Sequence, residues 1–238
     1  MKIRIAVSPS MSALSEGAFP EYLEACERLG FDTIWLSDIP LGELGDPVIS
    51  LTFAAACTSR MKLGANIVPL GRHPLWLAKQ LAQLDRLSNG RLLISFVPGL
   101  GNPSERLALG YPKENRGRIV DEMIGLMRSW WSGQTVSCRW QGFEFNNVKL
   151  DLAPIQRPLE VWLGGISPGA LERVAKIADG WLTSAATPAE AGIARQLIER
   201  RASELGRVVD PEHFGISMPF CLEEPPEQAL SALRMRRK

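Results

Sequence analysis

The chain has 238 residues, with 27 Lys and Arg against 26 Asp and Glu, so it carries almost no net charge and no field that would gather nucleic acid or an anionic membrane. Hydrophobic residues at 45% and charged residues at 22% are an ordinary globular mixture, and no apolar run nears the ~20 residues of a membrane span. The chain opens on a strand-like run rather than an apolar leader, and four scattered cysteines (Cys26, Cys57, Cys138, Cys221) with two histidines point away from a metal site and toward a reducing cytoplasm.

Short β-branched runs alternate with longer amphipathic segments, which predicts parallel strands joined by crossover helices. The first strand is expected over 3–7. A helix follows over 19–29, with Tyr22, Leu23, Cys26 and Leu29 on one face and Gly30 as its stop. The second strand is expected over 33–37. Asp46-Pro47 then opens a helix as N-cap and first-turn proline, carrying Leu51, Phe53 and Ala54 to about Ser59. The third strand covers 62–68, and its helix runs from Pro74 to the turn pair Asn89-Gly90.

The fourth strand spans 91–97 and leads into the loop Pro98-Gly99-Leu100-Gly101-Asn102-Pro103, with a helix over about 116–131. Residues 133–154 are a non-helical excursion with a hairpin turn at Gln141-Gly142. A fifth strand over 159–164, a helix over 168–178, a sixth strand over 180–184 and a helix over 188–205 follow. The seventh strand is expected over 213–221, with a last helix from near Glu224. The pattern is an α/β chain of the TIM (β/α)8 barrel type, in one domain over 1–238, with seven visible strands and no last βα unit. A doubly wound open sheet is disfavoured, because no GxGxxG follows the first strand.

In a barrel the chemistry sits on the loops at the C-terminal ends of strands. There the sequence presents Asp38 after the second strand, Asn66 in the third, and Gly99, Gly101 and Asn102 after the fourth. Gly164-Gly165-Ile166-Ser167-Pro168 follows the fifth strand. Two glycines let backbone approach a ligand, and Ser167-Pro168 starts a helix whose free N–H groups suit a phosphate. An ordinary capped turn explains the same residues equally well. Asp38 can accept from a ligand or hold a loop, and the Asn66 amide can meet a ligand or a structural partner. Arg116 and Arg118 can reach a phosphate or form a solvated face with Asp121 and Glu122. His73 before a helix reads as a packed loop residue, and His213 begins a strand at the wrong end for chemistry. Trp131 and Trp162 are expected in the core. No Ser/His/Asp set and no GxSxG elbow is present, and Lys62 and Lys149 are not placed for an aldolase or isomerase.

Several segments carry a resemblance. The runs 29–38 and 58–67, the segment from Leu77 through Leu84-Asp85-Arg86-Leu87-Ser88-Asn89-Gly90-Arg91-Leu92, Arg116 with Glu122, and 161–165 with Ala178-Asp179-Gly180-Trp181 are similar to the luciferase-like monooxygenase superfamily. Asp46-Pro47, 161–166 and 210–215 resemble its coenzyme F420-dependent oxidoreductases of actinobacteria. The resemblance implies a TIM barrel binding coenzyme F420, the preferred choice, or FMN. It implies hydride transfer with a small organic substrate, or oxygen activation with FMN, and a homodimer. It places Asp38 near the ring, as the best catalytic candidate, and Asn66-Ile67 at a ring-supporting bulge that often holds a non-prolyl cis peptide. Gly101 and Asn102 would flank the ribityl chain, Arg116 would belong to the cofactor site, and Gly164, Gly165, Ile166 and Ser167 would hold the phosphate. Arg72, Lys113, Arg116 and Arg118 are available for the acidic tail of coenzyme F420. Many deazaflavin dehydrogenases have His after the second-strand Asp, whereas this chain has Ile39, so a non-catalytic cofactor-binding barrel is the alternative.

Overall fold

Four parallel strands are laid side by side in chain order, each reached through a helix. β1 (Ala6–Val7) pairs with β2 (Thr33–Ser37), β2 with β3 (Lys62–Ile67), and β3 with β4 (Leu92–Phe96). The crossovers are α1 (Ala18–Leu29), α2 (Pro47–Cys57) and α3 (Pro74–Leu87). The structure is a computed structural model that describes residues 3–10, 14, 17–99, 101–184 and 186–220. It divides into two compact units, 1–161 and 162–238.

In the first unit, alternation along the strands sets two faces. Ile34 and Leu36, Leu63, Ala65 and Ile67, and Leu92, Ile94 and Phe96 are buried on one of them. The opposite face carries Trp35 and Ser37, Gly64 and Asn66, and Ser95. Register puts Ser37 beside Asn66 and Asn66 beside Ser95, so three polar residues form a row across β2, β3 and β4.

Charged side chains staple the N-terminal ends of these strands. The Glu27 carboxylate on α1 accepts from the backbone N–H groups of Ser59 (2.9 Å), Arg60 (2.6 Å) and Met61 (3.0 Å), just before β3. Asp85 on α3, fully buried, accepts from Ile155 N (2.7 Å), Gln156 N (2.9 Å) and Gln156 Nε2 (2.6 Å). The Arg91 guanidinium donates to Ser88 O, Thr58 Oγ1, Met61 O, Ala55 O and Thr58 O. The segment 77–92 that carries the resemblance therefore does structural work at these two residues.

After β4 come α4 (Pro103–Leu109), α5 (Arg116–Trp131) and an antiparallel hairpin, β5 (Val136–Trp140) with β6 (Phe143–Val148). The hairpin lies in the expected excursion, and both turn residues, Gln141 and Gly142, have positive φ. Phe145 meets the buried Trp130 edge-on at 5.2 Å, and Phe143 meets His73 at 4.4 Å. His73 is thus a packed residue, as expected. Trp131 and Trp162 are buried as expected, and Trp130, on which no expectation rested, is buried as well.

The second unit repeats the parallel pattern on a smaller scale. β7 (Val161–Gly164), which starts at the boundary residue, pairs with β8 (Gly180–Ser184), and β8 pairs with β9 (Phe214–Ser217). The crossovers are α6 (Pro168–Ile177) and α7 (Pro188–Glu204), the latter opened by a Thr187–Glu190 capping box. Seven parallel strands are present among the described residues, and no helix there is long and apolar enough to cross a membrane.

Some boundaries differ from the sequence expectation. The first strand is Ala6–Val7 instead of 3–7, because Ile3 and Ile5 are solvent-exposed and β2 pairs only with residues 6 and 7. The seventh is Phe214–Ser217, and the expected last helix and Cys221 lie outside the described residues. Leu29, expected on the buried face of α1, is 69% exposed at the last helical position. α4 was not expected, although Asn102 caps it, Pro103 starts it and Glu105 sits in its first turn.

Candidate cofactor and substrate site

At the end of β2 the chain turns outward with Asp38, whose N–H donates to Asn66 O at 2.9 Å. The Asp38 carboxylate is 4% exposed, and one oxygen, Oδ2, accepts from Val68 N (3.0 Å) and Arg72 Nη2 (2.9 Å). Arg72 Nη2 also donates to Asp46 Oδ2 at 2.9 Å, and Arg72 Nε donates to Val68 O. Asp46 Oδ1 accepts from Val48 N and Ile49 N at the start of α2. Burial works against the Arg72 charge, but Asp38 and Asp46 more than offset it and hold the guanidinium above its usual range. The ends of β2 and β3 are therefore locked by a carboxylate–guanidinium–carboxylate chain. It fronts a cavity of about 320 Å³ lined by apolar residues of the same loops.

Asn66 and Ile67 lie in a regular strand. Asn66 has Ser37 and Ser95 as register partners, Ile67 has Phe96, and Ile67 O accepts from Val97 N at 3.0 Å. The cis peptide among the described residues is Arg157-Pro158, so the Asn66-Ile67 bond is trans. The bulge and cis bond that the resemblance implied are thus not present. Ile67 is fully buried, and regular pairing of β3 with β2 and β4 keeps the backbone extended. Beside Asn66, the Ser95 hydroxyl is fully buried without a partner, and the buried Trp35 Nε1 is likewise unpartnered. Buried polar atoms are normally satisfied, so this face offers hydrogen-bonding capacity that the protein leaves unused.

After β4 the loop is held by two charged groups. Arg116 Nη1 donates to Pro98 O at 3.1 Å and to Gly99 O at 3.5 Å, and it packs so close to Gly101 that a Cβ there would lie 2.1 Å from it. Gly101 also has φ +70°, where a side chain is strained. The buried Glu105 accepts from Tyr111 Oη at 2.7 Å and from Gly101 N at 3.4 Å. Burial, with the Glu105 carboxylate beside it, pushes the Tyr111 phenol up to about 12, so Tyr111 remains a donor. Asn102 Oδ1 accepts from Glu105 N at 2.7 Å as the cap of α4. Arg118 pairs with Glu122 on the exposed face of α5, the solvated arrangement weighed for it.

In the second unit, Gly164 ends β7 and Gly165 turns the chain with φ +105°. A Cβ at Gly165 would lie 2.9 Å from the Ala170 Cβ. Ile166 and Ser167 are exposed, and Ser167 Oγ caps α6 by accepting from Ala170 N. Gly165 O accepts from Trp181 Nε1 at 2.9 Å, which fixes the turn against β8. The turn is thus rigid, open to solvent and set at the N-terminus of a ten-residue helix, a fit for a phosphate group.

Within the first unit, the structure brings Asp38, Asn66 and Ile67 together, and it joins Gly101, Asn102 and Arg116 around one loop. Two arginines expected at the cofactor site also have structural partners: Arg72 through Nε and Nη2, and Arg116 through Nη1 on loop carbonyls. Sequence reasoning passed over Ser95, Glu105 and Tyr111. Ser95 interrupts an apolar strand, which was the available signal. Glu105 sits three residues after Asn102, where a helix cap expects it.

Parallel strands joined by helices, with polar groups and glycine turns on the loops after the strands, define a TIM-barrel-type α/β protein. The chain belongs to the luciferase-like monooxygenase family, whose sequence profile matches residues 4–237. It is similar to limonene 1,2-monooxygenase of Rhodococcus erythropolis, at 29% identity over 224 residues, 90% of this chain and 57% of that protein. It is also similar to 5,10-methylenetetrahydromethanopterin reductase of Methanopyrus kandleri, at 26% identity over 227 residues, 90% of this chain and 64% of that protein. The chain therefore spans 57% and 64% of the lengths of these two relatives. Among solved structures, the coenzyme F420-dependent tetrahydromethanopterin reductase of Methanopyrus kandleri matches with a TM-score of 0.74 at 24% identity, over 98% of this chain and 70% of that one. That likeness carries the fold.

Proposed function

We propose that this protein is an oxidoreductase that uses coenzyme F420, or FMN in its place, to act on a small organic substrate. The observation that carries this reading is the glycine turn 164–167 at the start of α6, in a chain whose family profile spans 4–237. When bound, the ring would supply or take a hydride, or activate oxygen if the group is FMN. Gly164, Gly165, Ile166 and Ser167 would hold the phosphate through the turn backbone. Asn66 and Ile67 would support the ring, with Ser95 and Trp35 offering unused polar atoms on the face that carries Asn66. Gly101 and Asn102 would flank the ribityl chain, and Arg116 and Glu105 would hold their loop in shape. Asp38, the best catalytic candidate, would shape the site through Arg72 and Val68, which hold its Oδ2. Coenzyme F420 is preferred on the resemblance and on the cofactor of the Methanopyrus relative.

The test is a titration of the purified chain with coenzyme F420, FMN and riboflavin, followed by cofactor fluorescence. Micromolar binding of coenzyme F420 or FMN is expected, and Ile166→Asp should weaken it at least tenfold while leaving riboflavin, which lacks the phosphate, unchanged. Binding of neither phosphate-bearing cofactor refutes the reading. Ile39, where related dehydrogenases carry His, favours a second reading in which the protein binds the cofactor without turnover. A bound cofactor that stays redox-inert with a panel of alcohols, aldehydes and ketones would select it.

We also propose that a second copy of the chain covers α2. That helix is apolar around its circumference, yet Ile49 is 73% exposed and Phe53 46% exposed.

A further inference from the structure

The cavity at the ends of β2 and β3 holds about 320 Å³, near the lower limit of pockets that take small molecules, so a single ring or short chain would fill it. Its walls are Ile39, Leu44, Val68, Leu70 and Leu109, and one end is polar, formed by Asp38, Arg72 and Asp46. The donors and acceptors at that end are largely spent. Asp38 Oδ2 takes two N–H groups, and Asp46 Oδ1 takes two more from the first turn of α2. The partial positive charge of that helix start offsets the second carboxylate. Arg72 uses Nε on Val68 O and Nη2 on both carboxylates. Among the described residues, Arg72 Nη1 has no protein acceptor, so it is the donor left for a ligand.

We infer that this cavity is the substrate pocket of the proposed oxidoreductase, and that it selects small neutral molecules bearing one oxygen, such as a cyclic ketone or alcohol. The oxygen accepts from Arg72 Nη1, and the hydrocarbon body fills the apolar walls. A carboxylate would enter beside Asp38 and Asp46, whose two charges outnumber the one guanidinium, so an anion is penalised. Arg72 is then the specificity-determining residue, held in aim by its two carboxylates. The assignment rests on the oxidoreductase reading for the word substrate, but the binding itself needs no cofactor.

The experiment is calorimetric titration of the cofactor-free chain with cyclohexanone, methylenecyclohexane and cyclohexanecarboxylate. Cyclohexanone is expected to bind at least about tenfold more tightly than cyclohexanecarboxylate. Leu109→Trp, or Leu44→Trp if the first variant does not fold, should abolish that binding by filling the cavity. Arg72→Lys keeps the charge but loses the fork, and should weaken cyclohexanone while sparing methylenecyclohexane. Equal or tighter binding of the carboxylate, or unchanged binding in a folded cavity-filling variant, overturns the assignment. Failure of the cofactor titration with ketone binding intact would instead remove the oxidoreductase reading and leave the pocket.

Discussion

The Trp35 indole lies over Gly64 on the neighbouring strand, and a Cβ at position 64 would sit 2.2 Å from the ring. The two residues are register partners on β2 and β3. The second unit repeats the device: Trp162 is the register partner of Gly180, where a Cβ would lie 2.5 Å from the ring. Both indole Nε1 atoms are buried without a partner. The glycines thus make room for a large flat side chain on a strand face, once in each unit. Gly64→Ala should destabilise the fold by about 1–3 kcal/mol, because a buried ring has to move against packed neighbours. Urea unfolding followed by tryptophan fluorescence measures it, and a midpoint equal to the parent's would show that the ring shifts freely.

Arg91 spends all five N–H donors on protein oxygens, four of them backbone carbonyls at the C-terminal ends of α2 and α3 and just before β3. Lysine at 91 keeps the charge but loses the planar fork. Arg91→Lys should therefore cost roughly 2–3 kcal/mol while leaving cofactor titrations unchanged once the variant is folded. A parallel loss of cofactor affinity in folded protein would place Arg91 in the site rather than beneath it.

What the sequence made legible was local chemistry. Asp46-Pro47, Ser167-Pro168, Asn89-Gly90 and Gln141-Gly142 each act where their side chains or backbone preferences predict. The Asp38–Arg72–Asp46 chain was not legible, because its partners lie 34 and 26 residues apart and only the fold joins them. α4 was missed because seven residues give too little apolar periodicity to outweigh its glycine-rich approach. The Asn66-Ile67 bulge was expected from the resemblance and not from the residues, and the regular pairing of β3 replaced it.

Phe53 and Ile49 give the proposed self-association a direct test. Phe53 also stacks on Phe19 at 5.9 Å, whereas Ile49 is 73% exposed, so a charge at Ile49 should be harmless to the isolated chain and disruptive to a second copy packed on α2. Ile49→Glu is expected to convert a dimer to a monomer in sedimentation equilibrium with an unchanged far-ultraviolet spectrum. A wild-type chain that sediments as a monomer at all concentrations removes the proposal.

Glu27 ties α1 to the start of β3, and its titration should be visible in stability. Burial tends to raise its carboxyl, but the N–H groups of Arg60, Met61 and Ser59, with the Arg60 charge, more than offset this and hold it below the usual carboxylate range. A folded-state value below the unfolded one means that the charged form is the one stabilised. The contribution is therefore complete above the unfolded carboxylate value near 4.3 and is lost as pH falls through the lower folded value. Glu27→Gln should be less stable than the parent at pH 6, and the gap should close on acidification below about pH 4 as the parent's carboxylate takes up its proton. Urea midpoints of parent and variant across that range read the gap directly, and a gap that stays constant with pH would show that the three backbone donors do not hold the charged form.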